Sequence, residues 1–210
     1  MARSAPAPTA PRLYVLVPAP LVADAARVAD GLRRAGGEVD IAAVLLRAVP
    51  GQPAADALRP LVAASQDIGA ACLIEADTAL GAALGADGAH LDGHEALKAA
   101  LPALRPDGIA GAGGLRSKHD AMTAAEAGAD YVMFGEPDAQ GRRPAFETTL
   151  ERAEWWVQLF EPPCVAYART LEEVVALVAI GADFIAVDAD LLDDPGAPAL
   201  AGALAAGGAG

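Results

Sequence analysis

An eight-fold (β/α) barrel, the TIM barrel, is the fold class that the 210-residue sequence predicts. Three observations predict it. Short apolar runs alternate with helix-like stretches from end to end. The runs show little in–out alternation, as parallel strands covered on both faces do. Eight such pairs follow one another at about 25 residues each, where an open doubly wound sheet needs only about five or six.

Leu13–Val17 (LYVLV) is the first strand, closed by Pro18 and Pro20, and a helix over Leu21–Ala35 follows until Gly36 and Gly37 stop it. Val39–Leu46 is the second strand and Pro53–Ile68 its helix, with Pro53 in the first turn. The third pair is Ala71–Glu75 with Thr78–Leu84, the fourth Gly88–Leu91 with His94–Leu104, the fifth Gly108–Ala112 with Lys118–Ala127. Tyr131–Phe134 is the sixth strand and, after a longer loop, Phe146–Phe160 its helix. Cys164–Tyr167 pairs with Leu171–Ile180, and Phe184–Val187 with an Ala/Leu-rich helix near Ala197–Ala206. Residues 1–11 read as a flexible Pro/Ala lead-in, 12–206 as the barrel, and 207–210 as a flexible tail. A Gly-Ala-Asp triplet recurs before the fourth, sixth and eighth strands, at Gly85–Asp87, Gly128–Asp130 and Gly181–Asp183. Its Gly can end a helix left-handed and its Asp can tie down the turn into the strand. Gly36–Asp40 takes the same place before the second strand.

Composition narrows the function. Hydrophobic residues make up 54% and only nine residues are aromatic, so the core is built from Ala, Val, Leu and Ile. The net charge of −13, with no cluster of Lys or Arg, argues against nucleic acid. It also means that any phosphate site must rely on local donors. Cys72 and Cys164 sit in apolar runs without metal or disulfide spacing and read as buried thiols. No secretory signal stands at the amino end and no apolar stretch reaches the ~20 residues of a membrane span. The expectation is a cytoplasmic protein that binds neither nucleic acid nor membrane.

Four strings carry a resemblance: RLYVLVPA at the start, GADGAHL, GADYVMFGEP, and PCVAYA followed by GADFIAV. With them the chain resembles the thiamine phosphate synthases and their thiazole tautomerase relatives over nearly its whole length. The resemblance implies a transferase that joins hydroxymethylpyrimidine pyrophosphate to a thiazole phosphate. Pyrophosphate leaves in a largely dissociative step, and the thiazole nitrogen attacks the cation. It implies cations around the leaving group, Mg²⁺ on carboxylates, and backbone amides for the product phosphate. Carried over residue by residue, Arg47, Arg143, Gly113 and Arg169 bind substrate and pyrophosphate, while Asp77 and Glu95 hold Mg²⁺. The partner implied is a small phosphorylated substrate.

The chain departs from the family pattern at several of these places. Around Arg47 the family's Gln, Glu and Lys are absent. Its Gly-x-Ser turn becomes Gly111-Ala112-Gly113, and its Gly-rich turn after the seventh strand becomes Ala166-Tyr167-Ala168-Arg169. Leu115 stands where the tautomerase branch has a histidine. Two readings therefore stay open: a divergent synthase, or a catalytically degenerate paralogue that binds another small ligand or a protein partner. Arg47 is either a phosphate clamp or a bridge between rim carboxylates, and Arg142 and Arg143 are an anion clamp or a solvated pair. Glu75, Asp92, Glu136, Asp188 and Asp190 also fall at strand ends, with Asp92 and Asp190 in helix N-cap positions. His90 reads as a hydrogen-bonded core histidine or a catalytic base, while His94 and His119 face water. Tyr167 fills the place of a phosphate turn. Trp155, Trp156 and Leu159 read as helix packing or as a subunit contact in a homo-oligomer.

Overall fold

Strands β1 (Arg12–Val17), β2 (Ile41–Leu46), β3 (Ala71–Glu75), β4 (Gly88–Asp92), β5 (Ile109–Gly113), β6 (Tyr131–Phe134), β7 (Cys164–Tyr167) and β8 (Phe184–Asp188) follow one another around a closed parallel barrel. This is seen in a computed structural model that describes residues 10–47 and 55–206. Closure is made by β8 against β1, with Leu13 opposite Ile185 and Leu16 opposite Asp188. Between the strands run α1 (Ala19–Val22), α2 (Ala25–Gly36), α3 (Ala55–Asp67), α4 (Thr78–Leu84), α5 (Gly93–Leu104), α6 (Lys118–Ala127), α7 (Phe146–Leu159) and α8 (Leu171–Ala179). A 3₁₀ turn over Ala189–Leu192 and α9 (Gly196–Ala206) complete the described chain.

The first predicted helix is interrupted. Asp24 adopts φ −117° and ψ 50°, outside the helical region, which separates α1 from α2. Its carboxylate pairs with Arg27 at 2.9 Å. The start expected at Pro53 lies outside the described residues.

The Gly-Ala-Asp triplets act as the sequence suggests. Gly85, Gly128 and Gly181 all have φ between 70° and 105°, a left-handed conformation that residues with a Cβ adopt at a cost. Each Asp then reaches back to the strand before its own. Asp87 accepts the Cys72 amide at 2.7 Å, Asp130 the Ala110 amide at 2.7 Å, and Asp183 the Cys164 amide at 2.8 Å. These clasps close the amino ends of β3, β5 and β7, where otherwise unpaired N–H groups would be desolvated. Asp40 departs from the pattern: it takes a two-pronged contact from the Arg12 side chain at 2.7 and 2.8 Å, and Gly37 is not left-handed.

Two layers of core result. Outward-facing strand residues pack against the helices, with Trp156 of α7 donating its indole N–H to Pro162 at 2.8 Å and stacking on Phe160. Inward-facing residues at alternate positions fill the barrel: Tyr14 and Leu16, Ala43 and Leu45, Leu73, Tyr131 and Met133, Val165 and Tyr167, and Ala186. The next inward positions, one step nearer the carboxyl ends, are Arg47, Glu75, Asp92, Gly113, Arg169 and Asp188, and strand alternation aims them into the mouth.

Candidate active site

Barrels of this kind carry their chemistry at the carboxyl ends of the strands. There, Arg47 follows β2 and donates from Nε and Nη2 to one oxygen of Glu75 at the end of β3, at 2.9 and 2.8 Å. Both side chains are largely withdrawn from solvent, at 15% and 28% exposure, so the pair is held in place instead of waving at the rim. Arg143, in the loop after β6, makes a two-pronged contact with Glu173 in the first turn of α8, at 2.8 and 2.6 Å. Its guanidinium also lies over the Tyr167 ring, 5.8 Å from the centroid. The Arg169 amide donates to the same Glu173 at 2.7 Å, while its side chain is exposed. Glu173 therefore ties the loop after β6 to the loop after β7.

All three arginines bear on one carboxylate. Burial raises the pKa of Asp188, the Tyr167 hydroxyl donates to it at 2.7 Å, and the charges of Arg169 and Arg47 pull its pKa back. Asp188 in turn helps to raise the pKa of Arg143. Tyr167, Arg169, Asp188, Asp190 and Leu191 line a cleft of about 210 Å³ beside it. Arg47, Arg143 and Arg169, expected from the sequence, thus share one mouth with Gly113. Asp138 organises Arg142 separately, accepting its amide and its Nε, both at 2.9 Å, on the exposed loop.

Asp77 and Glu95, the expected Mg²⁺ pair, each have other partners. Ala76 has φ 58°, and after this left-handed turn Asp77 caps α4, where it accepts the Leu80 amide at 2.8 Å. Glu95 is 78% exposed and sits between His94 and Lys98 on the surface of α5. Among the described residues no three His, Cys, Asp or Glu side chains gather as a metal site. Asp77 and Glu95 as they stand do not fit a resident Mg²⁺. Asp92 occupies the N-cap position of α5 but makes no side-chain cap there, and Asp190 lies within the 3₁₀ turn.

Below the mouth runs a buried polar chain. The Tyr14 and Tyr131 hydroxyls are 2.7 Å apart, and the Tyr131 hydroxyl is 2.8 Å from His90 Nδ1. Burial, with a contribution from Arg47, lowers the His90 pKa to about 3, so its imidazole is neutral. Above it, Gly135 at φ 90° turns the chain so that Glu136 reaches the end of β5. There Glu136 Oε1 accepts the Gly114 amide at 2.5 Å, and burial pushes its pKa up to about 7. The sequence marked Glu136 only as one of several strand-end carboxylates. The signal that singles it out is the Gly before it and the consecutive glycines 113 and 114 opposite. Glu75 and Glu173 as partners of the arginines were not legible, because they come from other strands and helices.

Fold and mouth together define a parallel (β/α) barrel with arginines and carboxylates gathered at the carboxyl ends of its strands. The thiamine monophosphate synthase family model matches residues 13–191, and the chain belongs to this family. A thiamine-phosphate synthase of Hyphomonas neptunium is 35% identical over 202 residues, covering 90% of each chain. That of Rhodospirillum centenum is 36% identical, over 90% of this chain and 93% of the relative. Among solved structures, a thiamine phosphate pyrophosphorylase from Pyrococcus furiosus shares the fold with a TM-score of 0.72 at 20% identity, covering 93% and 96% of the two chains.

Proposed function

We propose that the chain performs a thiamine phosphate synthase-type transfer, with Arg47, Arg143 and Arg169 receiving the pyrophosphate that leaves. The observation that carries this reading is the convergence of all three guanidiniums on the surroundings of Asp188. In the transfer, the bond from the pyrimidine's methylene carbon to the pyrophosphate oxygen breaks and a bond from that carbon to the thiazole nitrogen forms. The electron pair of the broken bond leaves with pyrophosphate. No proton has to be removed, so the mouth needs fixed positive charge more than a general base. A neutral His90 is consistent with that.

Arg47 and Arg143 are pre-oriented by Glu75 and Glu173, and a forked guanidinium can exchange a carboxylate for a phosphate in the same geometry. Arg169, exposed beside the cleft, is the arginine whose side chain an incoming anion meets first. The expected test is calorimetry with inorganic pyrophosphate in Mg²⁺ buffer. Binding tighter than about 1 mM that is lost in Arg47→Ala supports the reading. Absence of binding, together with no product from the two thiamine precursors, contradicts it.

One observation favours the second reading, a paralogue that binds without transfer. Arg47 and Arg143 each already hold a carboxylate, and Asp92, Glu136, Asp188 and Asp190 add negative charge at the same mouth. Under that reading pyrophosphate leaves the protein unmoved, and some other ligand or a protein partner occupies the mouth.

A further inference from the structure

The floor of the mouth holds a pair of groups for which pyrophosphate capture has no use. A Cβ built on Gly113 would lie 2.3 Å from His90 Nε2 and 2.4 Å from Glu136 Oε1. The tips of two ionisable side chains from different strand ends therefore fill the space a side chain at 113 would take. A Cβ on Gly114, at φ 64°, would run into Asp92 Oδ1. The two glycines open a floor onto which β4 and the loop after β6 project polar atoms.

The protons on this floor follow from the chain beneath it. Tyr14's hydroxyl has one hydrogen-bond partner among the described residues, Tyr131. Its proton points there, because a buried donor left unmade costs about 1–3 kcal/mol. Tyr131 then gives its own proton to His90 Nδ1, which leaves the proton of the neutral imidazole on Nε2, facing the floor. Glu136 is fixed by the Gly114 amide, which donates to its Oε1 at 2.5 Å.

We propose that Glu136 and His90 form the ring-binding subsite of this barrel, with the Glu136 carboxyl gripping a ring nitrogen of the heteroaromatic substrate while the arginines hold its pyrophosphate. The inference rests on the transfer reading for the identity of the ring. A carboxyl at this position shares one proton with a ring nitrogen, and it counterbalances the positive charge that appears on the ring when the anion departs. The groups facing it are His90 and Asp92 from the end of β4, Arg47 from β2, Tyr14 from β1, Tyr131 from β6 and the Gly114 amide. Because the pKa of Glu136 lies at about 7, both of its forms are present near neutrality.

The test titrates the full chain calorimetrically with hydroxymethylpyrimidine, the ring without its pyrophosphate, at pH 6.5 and 8.5, and separately with inorganic pyrophosphate. In the wild type, affinity for the ring is expected to fall as pH rises past 7, by up to about tenfold per pH unit, since the complex holds one shared proton. Glu136→Gln keeps the acceptor for Gly114 and is expected to lose that pH dependence. Glu136→Ala is expected to weaken ring binding at least about tenfold and leave pyrophosphate binding intact. Ring binding in Glu136→Ala equal to wild type, or an unchanged pH dependence in Glu136→Gln, overturns the subsite. A wild type that binds pyrophosphate and not the ring overturns it too, with the transfer reading of the arginines still standing. Binding of the ring without pyrophosphate supports the subsite and removes the arginine reading instead.

Discussion

Glu136 carries a cost that shows in stability as well as in binding. Its folded-state pKa, at about 7, stands above the ordinary carboxylate value of 4.5 because burial disfavours the charged form. Between those two values the folded state binds more protons than the unfolded one. The contribution is thus fully present below about pH 4.5 and is lost as pH rises through 7. Thermal melts are expected to show Glu136→Gln gaining on the wild type from pH 5 to pH 8. A constant difference across that range would mean that Glu136 titrates normally. The residue scale is also where the sequence was least informative. Arg47 was legible as a strand-end arginine, but its capture by Glu75 depends on two neighbouring strands meeting at their carboxyl ends. The helix-cap role of Asp77 was not legible either, because it follows from the left-handed backbone of Ala76 beside it.

At the level of elements, the repeated Gly-Ala-Asp turn explains why so many boundaries could be read. Strands β3, β6 and β7 and helices α4 and α6 have the limits predicted: α4, α6 and β6 border the left-handed Gly of such a turn, and the amino ends of β3 and β7 are clasped by its Asp. The clasps differ from the Asp40–Arg12 pair in what they hold. Asp183→Ala leaves the amide of fully buried Cys164 without its acceptor, an expected loss of about 1–3 kcal/mol by chemical denaturation. Asp40→Ala removes an exposed ion pair, with an expected effect of about 0–1 kcal/mol. Equal effects would show that the fourth triplet-like turn works as the other three do. Ser117 and Asp120 satisfy each other's amides at the start of α6 in a capping box, and Ser117→Ala is expected to cost about 1 kcal/mol. The break at Asp24 and the 3₁₀ turn after β8 escaped prediction because neither carries a Gly or Pro at the point where the backbone changes.

For the whole molecule, the eight-fold alternation was sufficient to give the architecture, and closure gives the mouth. Only with β8 returned to β1 do residues 47, 143 and 169, spread over more than half the chain, act on one carboxylate. With a net charge of −13, the proposed transfer requires the anion to be held at short range by oriented guanidiniums instead of by a long-range field. The inner core of the barrel and the outer helix-facing core share every strand. Unfolding followed by tryptophan emission from α7 and by far-ultraviolet circular dichroism is therefore expected to coincide. The most direct measurement is the transfer itself. Purified chain, incubated with hydroxymethylpyrimidine pyrophosphate and thiazole phosphate, is expected to release thiamine phosphate and pyrophosphate in equal amounts, with Arg47→Ala slower by at least about 100-fold. Product formed by Arg47→Ala as fast as by the wild type would contradict the assignment of the arginine mouth to the leaving group.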